Sequence, residues 1–236
     1  MHLHQTKKYI FLTLLIYVLG FSVKAQGNLL YVDDKLFHFG FSLGIGSIDF
    51  GVTPSLTPVD GKVYAVQVSD IKPTLSVGIV SNLRLSRYLN LRFTPTLMFG
   101  ERELEYTSNA GDSYINTSIS SIPICLPLYL KYSAERKKNY RPYLLWGGGA
   151  YIDLGRNKDK PVLLKPLDFY TEFGVGCDLY FSFFKLAPEL KFGLGLNNVL
   201  TPYDERNTGN TADNRLYSIP LSKLTSRMIT LSFNFE

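Results

Sequence analysis

Apolar and polar residues alternate with a period of two along most of this chain, and that pattern ties it to β-strands. In Phe37–Phe50 (FHFGFSLGIGSIDF), Phe37, Phe39, Phe41, Leu43 and Ile45 point one way, and His38, Gly40, Ser42, Gly44 and Gly46 the other. Leu89–Gly100, Asp168–Phe181, Leu190–Asn197 and Arg227–Phe235 alternate as cleanly, and Thr74–Asn82, Ser121–Tyr132 and Arg141–Leu154 more weakly. The sequence therefore predicts eight strands.

The polar face separates a β-sandwich from a barrel. A sandwich buries its apolar face and shows charges to water, but gains nothing from many glycines. A narrow barrel with an apolar exterior turns the polar face inward, where glycines relieve crowding and charges pair. Connection lengths point the same way. Residues 51–70, 101–117, 155–167 and 198–224 read as long loops; 83–88, Ser133–Tyr140 and the link at Phe183 read as short turns. Long and short alternate, as in outer-membrane barrels with periplasmic turns and outer loops. Tyr88, Tyr106, Tyr132, Tyr140, Tyr180 and Phe184 lie near strand ends and suit interfacial girdles, although aromatic residues favour strands anyway. Pro95, Pro123 and Pro127 fall inside predicted strands, which a closed barrel tolerates at bulges.

The N-terminal region reads as an export signal. MHLHQTKK is polar and basic, Tyr9 to Val23 carries no charge over fifteen residues, and Val-Lys-Ala follows. Basic, apolar and small-residue regions in that order predict a signal peptide over residues 1–25, cut after Ala25. Fifteen residues fall short of the ~20 a spanning helix needs. No Cys follows the cut, which argues against a lipoprotein anchor. The leader holds Lys7, Lys8 and Lys24, so the formal charge of +5 falls to +2 in the predicted barrel domain, 26–236. Without a basic stripe, nucleic acid is not an expected partner.

Residues for catalysis or metal binding are sparse. Of three histidines, His2 and His4 fall in the leader. His38 alone could serve a triad, a metal or a proton path, and it reads more simply as an interior, hydrogen-bonded imidazole. Cys125 and Cys177 lack metal-type spacing. They fall on opposite registers of the fourth and sixth predicted strands, so no disulfide is expected. Gly44/Gly46, Gly147–Gly149 and Gly174/Gly176 lie in strands and open no helix, unlike phosphate loops. Asp204, Glu205 and Asp213 match no ordered calcium pattern. We therefore expect no enzymatic activity, catalytic residue, metal site or cofactor.

One constellation stands out. With strands running up and down from a periplasmic N-terminus, Arg92, Lys131, Arg141, Asp178, Glu189 and Lys191 point inward in the lower half, with Glu172 nearer mid-height. Buried charges need partners. The simpler reading is a salt-bridge plug; the sharper one is an ion or proton path. Two further expectations concern topology. The basic turn Ser133–Asn139 (SAERKKN) faces the periplasm, opposite 198–224, and Thr225–Phe235 closes the barrel against Phe37–Ile48.

Three stretches resemble the PorT/SprT-type outer-membrane β-barrel family. FHFGFSLGIGSIDF at 37–50 looks like that family's opening strand. SIPICLPLYLKY at 121–132, with RPYLLWGGG at 141–149, is similar to its fourth and fifth strands, and GVGCDLYFSFFKLAPELKFGLG at 174–195 to its sixth and seventh. The resemblance implies an all-β, eight-stranded up-and-down transmembrane barrel in the cell outer membrane. It implies a non-enzymatic part in protein export by a type IX secretion system, with gliding motility tied to the SprT branch. Its partners would be outer-membrane lipid, other type IX components and, during biogenesis, the barrel-assembly machinery. Two alternatives stand beside it: a surface barrel for adhesion or envelope integrity, and a barrel enzyme acting on lipid or protein through His38 or a carboxylate pair.

Overall fold

The computed structural model describes Leu29 and residues 32–69, 71–108, 114–155, 161–205 and 212–236. The leader expected over residues 1–25 lies outside the described residues. Among the described residues no helix is long and apolar enough to cross a membrane; the chain is built from strands.

Eleven antiparallel strands form one sheet that closes into a ring of eight staves. The first stave is β1 (Phe37–Pro54). The second is β2 (Tyr64–Val68) followed by β3 (Pro73–Arg84). The third is β4 (Leu89–Phe93) with β5 (Thr96–Ser108), and the fourth β6 (Tyr114–Ser121) with β7 (Pro123–Ser133). Then come β8 (Tyr140–Asp153), β9 (Leu167–Tyr180), β10 (Lys185–Gly195) and β11 (Leu221–Phe235). Closure is made by β11 on β1, in register from Phe41↔Phe235 to Ile48↔Met228 and beyond, as the terminal alternation predicted. All eight predicted strands are staves, and three of those staves are interrupted.

The interruptions correct the expected role of the prolines. Pro95 separates β4 from β5, yet the register runs through: Phe93 faces Leu128 and Thr96 faces Cys125 in unbroken step. The same holds across Ile122–Pro123, where β6 and β7 keep one register with β5. These positions are therefore not bulges. Thr94 N–H donates to the Pro127 carbonyl at 3.4 Å, but Pro127 has no N–H to return. The Thr96 hydroxyl donates to the Thr94 carbonyl at 2.9 Å and supplies that missing donor. The bulge lies at the β2–β3 junction instead. Val68 faces Leu104 and Leu75 faces Phe99, so residues 69–74 oppose only 100–103. Pro73 sits there, where the ladder is already broken.

The two ends differ, though not as the loop lengths suggested. One end carries the tight links 85–88, 134–139 and 181–184. At the other, the regions expected as loops 51–70 and 101–117 are largely strand, because β1, β2, β5 and β6 extend beyond the rest. Their alternation is inverted: Glu101, Glu103 and Glu105 face out, and Leu104 and Tyr106 are buried inside. Only 154–166 and 196–220 remain long, with a short helix α1 (Ala212–Ser218) in the latter.

Below the raised wall the exterior is apolar all round. Phe39 (68 % exposed), Leu75, Phe93, Leu128, Trp146 (64 %), Phe173, Phe192 and Leu231 all face outward. On a protein in water such a belt would associate; in a bilayer it is the lipid contact. Tyr88, Tyr132, Tyr140 and Phe184 join it near the tight-turn end, as expected of a girdle. Tyr106 and Tyr180 do not: both are buried inside the barrel.

Candidate functional site: a closed, charged lumen

Since successive side chains alternate faces, every outward Leu or Phe obliges a neighbour to enter the lumen. In the half nearer the tight turns those neighbours are charged. Arg92, Lys131, Arg141, Asp178, Glu189, Lys191 and Glu172 are all buried, as the alternation predicted. Lys185 joins them, as does the side chain of Glu236, 1 % exposed, and the sequence reading missed both. Lys185 opens β10 beside the tight turn, five residues before the predicted run began, and Glu236 follows the last outward Phe; alternation carried back from Glu189 by two inward positions, and forward from Phe235 by one residue, would have found them.

The charges are paired across the lumen rather than along strands. Lys131 on β7 reaches Asp178 on β9 with Nζ 2.8 and 2.7 Å from the two carboxylate oxygens. The Lys131 ammonium also lies 3.8 Å from the centre of the Tyr143 ring. Arg92 binds Glu189 through one guanidinium nitrogen and Glu236 through another at 2.9 Å. Lys185 completes this group at 2.9 Å from Glu236. The Tyr143 hydroxyl donates to Glu189 at 2.6 Å, and the Tyr129 hydroxyl donates to Glu172. Arg92, Lys131 and Lys185 thus meet Asp178, Glu189 and Glu236 in direct ion pairs, while Glu172 is held by the Tyr129 hydroxyl and Lys191 lies 5.6 Å from the centre of the Tyr129 ring. Charge balance and hydrogen bonding let this many ions exist out of water.

Glycine makes room for the tyrosines. A Cβ on Gly176 would lie 2.5–2.7 Å from ring atoms and the hydroxyl of Tyr143, so only glycine leaves the slot in which that ring lies. This is a packing reason for Gly176; a Cβ on Gly174 would instead lie 2.9 Å from Cγ of Lys191, and both glycines sit in a strand away from any helix start.

Above this layer the lumen narrows to a cavity of about 20 Å³ among Met98, Cys125, Tyr129, Tyr170, Glu172 and Met228, room for about one water molecule. Cys125 is buried there, 3.5 Å from the Met98 sulfur, while Cys177 lies on the outward register of β9; both are free thiols. Higher still, Arg102 lies 4.5 Å above the centre of the Phe50 ring and donates to the Tyr151 hydroxyl.

Both mouths are filled. At the tight-turn end a 3-10 turn, Val32–Asp34, crosses the opening. The Tyr180 hydroxyl donates to Asp33 at 2.8 Å, with Arg136 and Arg141 at 3.6 and 3.7 Å from the same carboxylate. Asp34 pairs with Arg84 at 3.1 Å. His38 is placed by this turn: its Nε2 lies 2.5 Å from the Val32 carbonyl oxygen. The geometry fits an interior hydrogen-bonded imidazole, and among the described residues no acidic side chain pairs with the ring.

At the other end an apolar cluster replaces the charges. Phe50, Tyr64, Val66, Leu104, Tyr106 and Leu224 line the raised wall, and Val162, Leu164, Val199 and Leu200 of the two long loops pack into it. Leu164 and Leu200 form a short bridge, Thr201 N–H donates to the Leu163 carbonyl at 2.9 Å, and the Tyr106 hydroxyl donates to the Tyr217 carbonyl at 2.8 Å. Asp204 and Glu205 lie in a 3-10 turn of the longer loop; the side chain of Asp213 lies outside the described residues.

An interior of this kind holds a shape. Among the described residues its central charges are held by one another and by tyrosine hydroxyls. Residues 24–201 match a family model described as outer membrane protein beta-barrel domain. No curated protein matches the sequence.

Proposed function

The chain belongs to the outer membrane protein β-barrel family, and from that premise we propose that it is a non-enzymatic accessory or assembly component for protein export by a type IX secretion system. The filled lumen carries the accessory part of this reading. A barrel stopped by paired ions at one end, an apolar cap at the other and a cavity of about 20 Å³ between them has no room for a folded cargo. Its contribution to export is then made through its surfaces. The tie to type IX export rests on the likeness of 37–50, 121–132 with 141–149, and 174–195 to PorT/SprT-type barrels. In this reading the signal peptide is removed after Ala25, the tight turns face the periplasm, and the raised wall stands outside the cell.

The test is a deletion strain. Cargo bearing C-terminal export signals should disappear from the medium and accumulate inside the envelope, with recovery on complementation by the full chain. Normal export from the deletion strain would remove the type IX reading.

One observation favours a second reading. The raised wall sets Glu101, Glu103 and Glu105 in an outward row on β5, a platform clear of the apolar belt. A surface barrel for adhesion or envelope integrity would use such a platform. It predicts a deletion strain with intact export and a loss of adhesion or of resistance to detergents.

A further inference from the structure

The tight-turn mouth carries a second feature that the plugged lumen does not need. Beside the Val32–Asp34 turn a crevice of about 350 Å³ opens between the links 85–88 and 134–139. Asp33, Asp34, Arg84, Arg87, Glu135 and Arg141 line it, with Tyr88 and Arg136. Two of these arginines are deeply engaged. Arg141 donates from Nε to the Ala134 carbonyl at 2.8 Å and from Nη2 to the Arg87 carbonyl at 2.5 Å. Arg136 donates to the Leu29 and Lys138 carbonyls at 3.0 and 2.8 Å and stacks 3.6 Å from the centre of the Tyr180 ring. They build the floor.

Arg84 and Arg87 differ. A guanidinium offers five N–H donors in a planar fork suited to carboxylates. Arg84 uses one nitrogen, toward Asp34 at 3.1 Å, and Arg87 uses one, toward Glu135 at 2.7 Å. Both acceptors are well exposed, with side chains 64 % and 67 % accessible. Pairs this exposed contribute little to stability and exchange readily for a better ligand. The mouth also shows which ligand it accepts, because its present occupant is an acidic dipeptide of the chain itself. Asp33 and Asp34 are held by one tyrosine hydroxyl, the backbone turn and three guanidinium groups.

We propose that this crevice is a docking site for an acidic, extended peptide segment of a partner protein. The Asp33–Asp34 turn occupies one half in cis, and Arg87 with the remaining donors of Arg84 receives partner carboxylates in the other half. The mixed lining suits an acidic polypeptide, since Asp34 and Glu135 can accept its backbone N–H groups while the arginines take its carboxylates, and a bare phosphate has no N–H to offer them. The inference does not rest on the secretion reading; it concerns a binding site on the purified barrel.

The probe is a fluorescein-labelled tetra-aspartate peptide titrated into the folded, detergent-solubilised full chain, with a tetra-lysine peptide as control. Saturable binding of tetra-aspartate alone is expected, weakening with added salt. The double variant Arg84→Gln, Arg87→Gln should bind at least about tenfold more weakly, while its heat-dependent gel shift shows the barrel still folded. Asp34→Asn should bind several-fold more tightly, because it removes the cis competitor for Arg84. Absence of saturable binding to both the wild type and Asp34→Asn would overturn the proposal. So would binding indifferent to the arginine double variant. Equal or tighter binding of phosphatidylglycerol micelles at the same residues would assign the crevice to lipid phosphate and overturn it too.

Discussion

Replacing Asp178 by Asn tests whether the lumen is a dry plug or a wet path. Lys131 and Asp178 are both almost inaccessible, with side chains 1 % and 3 % exposed, and are joined by two hydrogen bonds of 2.8 and 2.7 Å. Asn preserves the shape but removes the charge, which takes away the Lys131 ammonium's ion-pair partner and leaves the Tyr143 ring beside it. Breaking one side of a buried pair costs about 3–5 kcal/mol. At about 1.4 kcal/mol per tenfold, that is at least a hundredfold in the unfolding equilibrium. Removing both partners with apolar residues of similar size, Lys131→Met with Asp178→Leu, deletes the desolvation cost as well as the attraction, so the double variant should be close to wild type or more stable. Urea unfolding in detergent micelles measures this, followed by gel mobility and by fluorescence of the single tryptophan, Trp146, which leaves its lipid-facing site on unfolding. A loss below about 1 kcal/mol for Asp178→Asn would mean that water screens the pair. The lumen would then be hydrated, and both the plug and the accessory role built on it would fall.

Other outcomes follow from single contacts. Thr96→Val should destabilise the barrel by about 1–3 kcal/mol in the same assay, since the Thr94 carbonyl opposite Pro127 loses its donor; an unchanged midpoint would mean that another group serves that carbonyl. Gly176→Ala should cost about 1–3 kcal/mol by driving Tyr143 from its slot, and in a Tyr143→Ala background, where the slot is empty, the same substitution should cost much less. Deleting residues 229–236 removes the β11 pairing from Ser47 through Phe41 and opens an unpaired edge in lipid; the truncated chain should show no heat-dependent gel shift, and a retained shift would refute closure by this strand. Protease added to intact cells should cut within 196–220 and spare 134–139, and the reverse pattern would invert the proposed topology.

Much of this barrel was legible in the sequence because a strand's side chains have only two directions. Once Phe39 or Leu231 is assigned to lipid, His38 and Ser232 must face inward, and the burial of Arg92, Lys131 and Asp178 follows from spacing alone. Closure by the last strand was legible for a related reason: an open edge is not tolerated in a bilayer. The raised wall was misread as loops because outward Glu101, Glu103 and Glu105 look solvated. The alternation of ERELEYTS with buried Leu104 and Tyr106 was present, but its polarity is reversed above the belt, where water lies outside and the cap inside. Tyr106 and Tyr180 were misassigned to a girdle because an aromatic at a strand end suits either face, and only the register selects one.

What the fold alone decided is partnership. The sequence supplied inward charges, but Arg92 and Glu189 are 97 residues apart, and Lys131 and Asp178 are 47 apart on strands with a third between them. Which ions meet depends on the stagger of the closed sheet and on the slot that Gly176 leaves for Tyr143. Likewise, nothing in VDD marks residues 32–34 as a stopper until Tyr180, Arg136, Arg141 and Arg84 are brought to one mouth. Alternation is a local property of the backbone, and it survives in the unfolded chain as a pattern. Contacts across a lumen exist only after eight staves have closed on one another.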